Sequence, residues 1–272
     1  MYSVKKLILF VLSVMIVIAS FAQEPKNKRT SKSEKKDERR EKVNNLIKQA
    51  EEGVLIYSKQ SIYGIKATTN GYGAFYELGR MKSNYKTNIY RIDITEIKHQ
   101  KEVKLSSGNG LFFGNPFIYG KINNFYQVTL GFGQQHILGQ KGNKNGVSVS
   151  AIYNGGLALG LLKPYYLEID DPATGRSRII KYSIADSALF LSNAIVGGAG
   201  IGKGWNEIKI KPGAFVKTAL RFDYGRFNEV VSGIEIGLSG EFYASKIPIL
   251  VGQKNKQFFI QGYVSILFGR RK

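Results

Sequence analysis

The 272-residue chain contains no cysteine, two histidines, one tryptophan and six prolines. Without cysteine there is no disulfide framework, thiolate nucleophile, Cys-ligated zinc or iron–sulfur cluster, and no lipidated cysteine. His99 and His136 alone do not make a multi-histidine metal site, and no cofactor or metal is expected. No stretch reaches 18 uninterrupted apolar residues, so no transmembrane helix is expected. Acidic residues are scarce: 20 face 40 basic ones, for a net charge of +20. Glycine (31), tyrosine (16) and phenylalanine (16) are plentiful, which is not the profile of a disordered tail.

The first 23 residues read as an address. Lys5 and Lys6 precede an apolar run from Leu7 to Ile18, followed by Ala19–Gln23. A basic start, a short apolar core and small residues form a signal-peptide pattern, with cleavage expected near Ala22. The run falls short of the roughly 20 residues that cross a bilayer. Residues 24–54 read as a charged periplasmic spacer, partly helical. Ten basic and seven acidic residues lie between Glu24 and Glu52. Ser31 or Ser33 can cap a helix, and Val43, Leu46, Ile47 and Ala50 form a one-sided apolar stripe, a candidate docking face for an envelope partner. The mixed charge argues against nucleic acid as a partner, which calls for an uncompensated basic face.

Beyond Gly53 the apolar period changes to two. Phe258, Ile260, Gly262, Val264, Ile266 and Phe268 share one face, and Phe259, Gln261, Tyr263, Ser265 and Leu267 the other. Similar alternation runs through 88–95, 126–133, 214–224 and 230–243, where Tyr90, Ile92 and Ile94 oppose Arg91 and Asp93. A soluble sandwich buries the apolar face; a membrane barrel turns it to lipid and keeps charges and glycines inside. The signal peptide and aromatic residues at strand ends (Tyr72, Tyr126, Tyr224, Phe268) favour the barrel. So does a polar face on which Lys217, Arg221 and Asp223 meet Glu235 and Glu241, a lumen charge cluster that fills the interior of a small barrel.

The fold expected is therefore all-β: an antiparallel up-and-down transmembrane barrel over residues 55–272, preceded by the short helical spacer. Ten strands are expected, at 60–69, 72–82, 87–98, 116–123, 125–138, 147–153, 157–169, 213–224, 230–244 and 257–268. If Asn154-Gly155-Gly156 is a bend rather than a turn, the number falls to eight. In the ten-strand reading, connections 70–71, 99–115, 139–146, 170–212 and 245–256 lie outside, and both termini lie in the periplasm.

The signal peptide, glycine-rich alternating strands and apolar last strand (Gly262–Phe268) resemble the small outer-membrane β-barrel proteins of Gram-negative bacteria. The resemblance implies outer-membrane lipid and lipopolysaccharide as surroundings. It makes Ile266 and Phe268 the signal read by the barrel-insertion machinery, although Gly269–Lys272 follow. It leaves the function open, because that family houses adhesins, pores, enzymes and assembly partners.

Catalytic signals are sparse. His136, expected near the outer end of a strand, and His99, Asp170, Asp171 and Asp186 in connections show no diagnostic spacing for a rim enzyme. Gly197–Gly204 lacks both the spacing and the strand–helix context of a phosphate-binding loop. The apolar stretch Ala188–Ile201 is expected to plug the barrel mouth or to meet a partner or the outer leaflet. The barrel portion keeps about +15 of the charge, which suits an anionic surface of lipopolysaccharide phosphate or peptidoglycan. The function expected is a non-enzymatic structural or assembly-partner component of the cell envelope. A narrow or gated pore, or a rim enzyme acting on lipid or peptide, stands as the alternative.

Overall fold

The computed structural model describes residues 37, 39–41, 43, 44, 57–106, 115–142, 145–172, 174–226 and 229–272. The chain divides into two units, residues 1–45 and 46–272. In the first, the described residues are helical and exposed, Val43 among them. Leu46, Ile47, Ala50 and the 1–23 segment lie outside the described residues. Among the described residues no helix is long and apolar enough to cross a membrane.

The second unit is a closed antiparallel barrel of eight strands. These are β1 (Lys59–Thr68), β2 (Gly71–Ser83), β3 (Lys86–Ile97), β6 (Asn123–Gly139), β7 (Ser148–Pro164), β11 (Lys209–Asp223), β12 (Val230–Ile247) and β13 (Lys256–Arg271). Ring order is β1-β13-β12-β11-β7-β6-β3-β2, so chain neighbours pair and β13 closes on β1. Short strands β4 (Lys104–Leu105) and β5 (Phe117–Ile118) pair with each other, and β8 (Tyr166–Asp171), β9 (Arg176–Lys181) and β10 (Ile195–Gly198) form a separate three-stranded sheet.

The count is the lower of the two expected, for two reasons. Asn154-Gly155-Gly156 is not a turn but the middle of β7, paired on both sides (Gly156 with Gly131 and Phe215). Glycines on both strands supply clearance: a Cβ on Gly156 would stand 2.1 Å from the Leu130 carbonyl oxygen, and one on its partner Gly131 2.7 Å from Phe215 Cζ. Segment 116–123 contributes only Phe117–Ile118, and Phe117 is buried in the core of the separate sheet. With eight strands, connections 69–70, 98–122, 165–208 and 248–255 gather at one end, the far end. Connections 84–85, 140–147 and 224–229 share the opposite, terminal end with both ends of the barrel chain, where the Ser58 and Lys59 N–H groups donate to the Lys272 carbonyl. Segment 139–146, expected outside, is therefore at the terminal end, and so is His136.

The register fixes the stagger. From Tyr63 the paired residues run through Tyr76, Ile92, Leu130, Leu157, Ala214 and Phe242 to Phe258. Tyr63 itself pairs with Phe268, ten residues beyond Phe258. That shear tilts the strands into the 35–45° range usual for such barrels. A level ring therefore steps down the paired rows, and near the terminal end it passes close to Tyr63, Tyr90, Tyr153, Leu220, Ile234 and Phe268.

Alternation is faithful throughout. Ile65, Leu157 and Val216 point outward with 64–68% of their surface exposed, together with Ile92, Ile94, Leu130, Leu238 and Ile260. Burying apolar surface is worth about 25 cal/mol per Å², so an all-round apolar belt of this kind calls for a non-aqueous surrounding.

Candidate functional site

The inward positions carry charge. Glu77 pairs with Arg91 across β2–β3, and Arg221 with Glu235 across β11–β12. These two cross-strand pairs stand on opposite walls and exchange partners across the lumen. Arg221 Nη1 and Nη2 each donate to a Glu77 oxygen at 2.7 Å, and Arg91 Nη1 donates to Glu235 Oε1 at 2.8 Å. Arg221 also keeps Glu235 at 2.7 Å, and the Tyr263 hydroxyl donates to Glu235 at 2.8 Å. Two residues along β3 toward the far end, Asp93 accepts from Lys66 (2.8 Å), Lys217 (3.0 Å) and Arg91 Nε (3.2 Å). The network joins four cations and three carboxylates, and its members are almost wholly buried. Charge-assisted, bidentate contacts are the strong kind, and they are needed here because a buried unpaired charge costs several kcal/mol. The Phe75 ring lies 3.6 Å beneath the Arg91 guanidinium and Gln135 bridges Gln60 and Ser150, closing the remaining gaps.

Apolar layers stop the lumen on both sides of the network. At the far end Phe125, Phe215, Tyr243 and Phe259 pack with Ile249 and Leu250, which the 248–255 connection folds inward. Two connections zip together there: the Ile122 N–H donates to Ile249 O and the Val251 N–H to Gly120 O, both at 2.8 Å. Gly120 (φ 68°) and Gly252 (φ 70°) take the left-handed backbone that lets these loops turn back. Buried Lys121 is held by Glu102 at 2.8 Å. Toward the terminal end Ile62, Phe75, Val231 and Leu267 form another layer. Below it Asp223 binds Arg271, and Lys141 donates to the Gly225 carbonyl; burial lowers the Lys141 pKa.

The five residues of the expected lumen cluster all point inward, but to three levels. Lys217, Arg221 and Glu235 belong to the network; Glu241 accepts from Gln261 (3.1 Å) toward the far end; Asp223 is at the terminal end. Sequence reasoning missed Lys66, Glu77, Arg91 and Asp93. Each shares the polar parity of its strand, so the signal was present, but only the register shows which ones meet. Ile266 and Phe268 face outward on β13, Phe268 opposite Tyr63.

His99 caps the start of connection 98–122. Its Nδ1 accepts from the Lys101 N–H at 3.2 Å, and partial burial and nearby Lys256 lower its pKa. His136 faces outward near the terminal end, 2.7 Å from the Tyr153 hydroxyl, not at the outer rim. Asp170 and Asp171 end β8, and Asp186 binds Arg178 at 3.1 Å. The stretch 188–201 does not plug the barrel: Phe190 and Ile195 are buried with Leu167, Ile169 and Ile180 in the three-stranded sheet's own core. Gly197 and Gly198 lie in β10. Among the described residues no group of three His, Cys, Asp or Glu is placed to hold a metal ion.

No protein-family model matches the chain, and no curated protein matches it significantly. Among solved structures it is similar to the attachment invasion locus protein Ail of Yersinia pestis at 12% identity, with a TM-score of 0.36, covering 80% of this chain and 100% of that one. Neisserial surface protein A is similar at 8% identity and a TM-score of 0.38, covering 79% and 96%. The N-terminal β-barrel domain of Pseudomonas aeruginosa OprF is similar at 9% and 0.32, covering 78% and 98%. These neighbours are small outer-membrane β-barrels of Gram-negative bacteria. The likeness is faint, and the fold of this chain is established by its own strand pairing: a closed, antiparallel, eight-stranded barrel, apolar outside and charged within.

Proposed function

We propose that the protein spans the outer membrane as a non-conducting barrel and serves the envelope as a structural or assembly component. Its termini and the 24–54 spacer would face the periplasm, and its three-stranded sheet the outside. The observation that carries this reading is the lumen, stopped by an ionic network between apolar layers. A transport path would have to break Arg221–Glu77 and Arg91–Glu235 and lift Ile249 and Leu250 from Phe125. The exposed apolar belt supports membrane insertion, because backbone groups in lipid are satisfied only in a helix or a closed barrel. The longest connections sit opposite the termini, as the long outer loops of such barrels do.

The test is purified full-length protein in planar bilayers, with heat-modifiable gel migration as the check on folding. Folded protein giving no single-channel steps is the expected result. Large, stable steps would replace this reading with a pore. Release of the intact protein from cells by osmotic shock, without detergent, would remove the membrane from it altogether.

A further inference from the structure

A groove crosses one side of the apolar belt. It crosses the outer face from β6 to β13, lined by Phe132, Tyr153, Val216, Leu238, Phe258 and Ile260, and encloses about 870 Å³. Its depth comes from small outward residues, Gly155, Thr218 and Gly240, where the neighbours on either side are large. A Cβ on Gly240 would meet only Phe258 and Val216, at 3.8 Å, so the space above it is open by sequence choice rather than by backbone necessity. Five strands wide, the groove spans four inter-strand spacings, about 19 Å, the length of a fatty acyl chain.

Its lower end is polar. Gln134 and Tyr153 line it. The Tyr153 hydroxyl donates to Gln134 Oε1 at 2.8 Å and meets His136 Nε2 at 2.7 Å, with the two rings stacked 5.4 Å apart. Gln134 Nε2 donates to Asn88 at 3.3 Å. Two cations flank this patch: Lys86 is the register partner of His136, and exposed Arg80 that of Asn88. The row containing His136 continues through Ala151, Leu220 and Ile236, so along it the polarity ends at β6.

A polar, cationic patch opening into an acyl-length groove is complementary to one amphiphile. We infer that this face binds an anionic phospholipid from the leaflet at the terminal end. Its phosphate would sit on Lys86, Arg80, His136 and Tyr153, and one acyl chain would lie over Gly155 and Gly240. The inference rests on the membrane-spanning reading above.

The experiment is native mass spectrometry of the full-length protein in detergent, titrated with phosphatidylglycerol, with diacylglycerol of the same chains as the headless control. Gly240→Leu fills the groove from an outward position that folding leaves open. Lys86→Ala with His136→Ala removes two of the four head contacts and leaves the groove. Wild-type protein is expected to retain one phosphatidylglycerol and little diacylglycerol, and each variant to lower retention about tenfold, the loss of one good contact. Equal retention by both variants, equal retention of diacylglycerol, or preferential retention of lipopolysaccharide would overturn the inference. Heat-modifiable migration of each variant separates the two failures: a folded barrel without bound lipid refutes the lipid site alone, and a protein soluble without detergent refutes the membrane reading itself.

Discussion

Arg221 grips Glu77 through two parallel contacts of 2.7 Å, across the lumen and 144 residues away in the chain. Both side chains are fully buried and both also touch the other pair, Arg91 and Glu235. Replacing Arg221 with Met leaves two carboxylates to share Arg91. The expected cost is about 3–5 kcal/mol, the usual penalty for stranding a buried charge. Glu77→Gln with Arg221→Met is expected to cost less than the two single changes added together. Denaturant unfolding in lipid vesicles gives the cycle; strict additivity would mean that the two groups do not interact.

The outer face makes a graded prediction. With a shear of ten, Leu157 and Leu238 lie near mid-height, whereas Leu220 lies close to the terminal-end ring of Tyr63 and Tyr153. Arg at Leu157 or Leu238 is expected to destabilise by about 2–4 kcal/mol, and at Leu220 by less, following the depth dependence for arginine in barrels. The same unfolding assay reads it. Equal costs at all three positions would show that the belt is not level as described.

His99 supplies a pH dependence at the far end. Its pKa lies below the ordinary histidine value because partial burial and Lys256 disfavour the charged ring. The folded loop therefore prefers the neutral form. Its stability is complete above the unfolded pKa of about 6.5 and declines as the pH falls through that value toward the folded one. Protonation also removes the acceptor for the Lys101 N–H. Amide exchange over 248–255, corrected for intrinsic rates, is expected to rise between pH 7.5 and 5, and less so in His99→Gln. A pH-independent loop, or an identical response in the variant, would dissociate His99 from the closure.

Deleting residues 24–50 while keeping the first 23 is expected to leave insertion and heat-modifiability intact, since the barrel satisfies its own backbone. If the stripe Val43, Leu46, Ile47 and Ala50 is a docking face, proteins that co-purify with the full chain will be lost. Failure to insert would assign the spacer to folding instead.

The outer and inner faces were legible because the strand period is two, so each side chain's parity in β11, β12 and β13 is written in the sequence. The ring was less so. Asn154-Gly155-Gly156 has the composition of a turn, but Gly156 answers to the Leu130 carbonyl of β6, 2.1 Å from where its Cβ would stand, and its partner Gly131 to the Phe215 ring of β11. Such clearance is invisible without the register. The same is true of the ionic network: parity places Arg91 and Glu77 inside, whereas only stagger across all eight strands sets Arg221 against Glu77. The stretch 188–201 misled for another reason. Its apolar residues serve a small sheet built largely within the same connection, and a linear reading cannot separate that core from an exposed patch.

The seam between β1 and β13 has a consequence for how the chain is made. Tyr63 meets Phe268, so the ring is closed by a pairing between its first and last strands, while every other pairing in the ring joins strands consecutive along the barrel chain. Until β13 pairs with β1 the sheet has two open edges, each a template for a stray strand. Local hairpins gain early, and the seam bears the whole loop-closure entropy of the ring at the end. A nascent chain of this design has to be held apart from its own kind until it is complete, and a truncation of even its final strand leaves a sheet that cannot become a barrel.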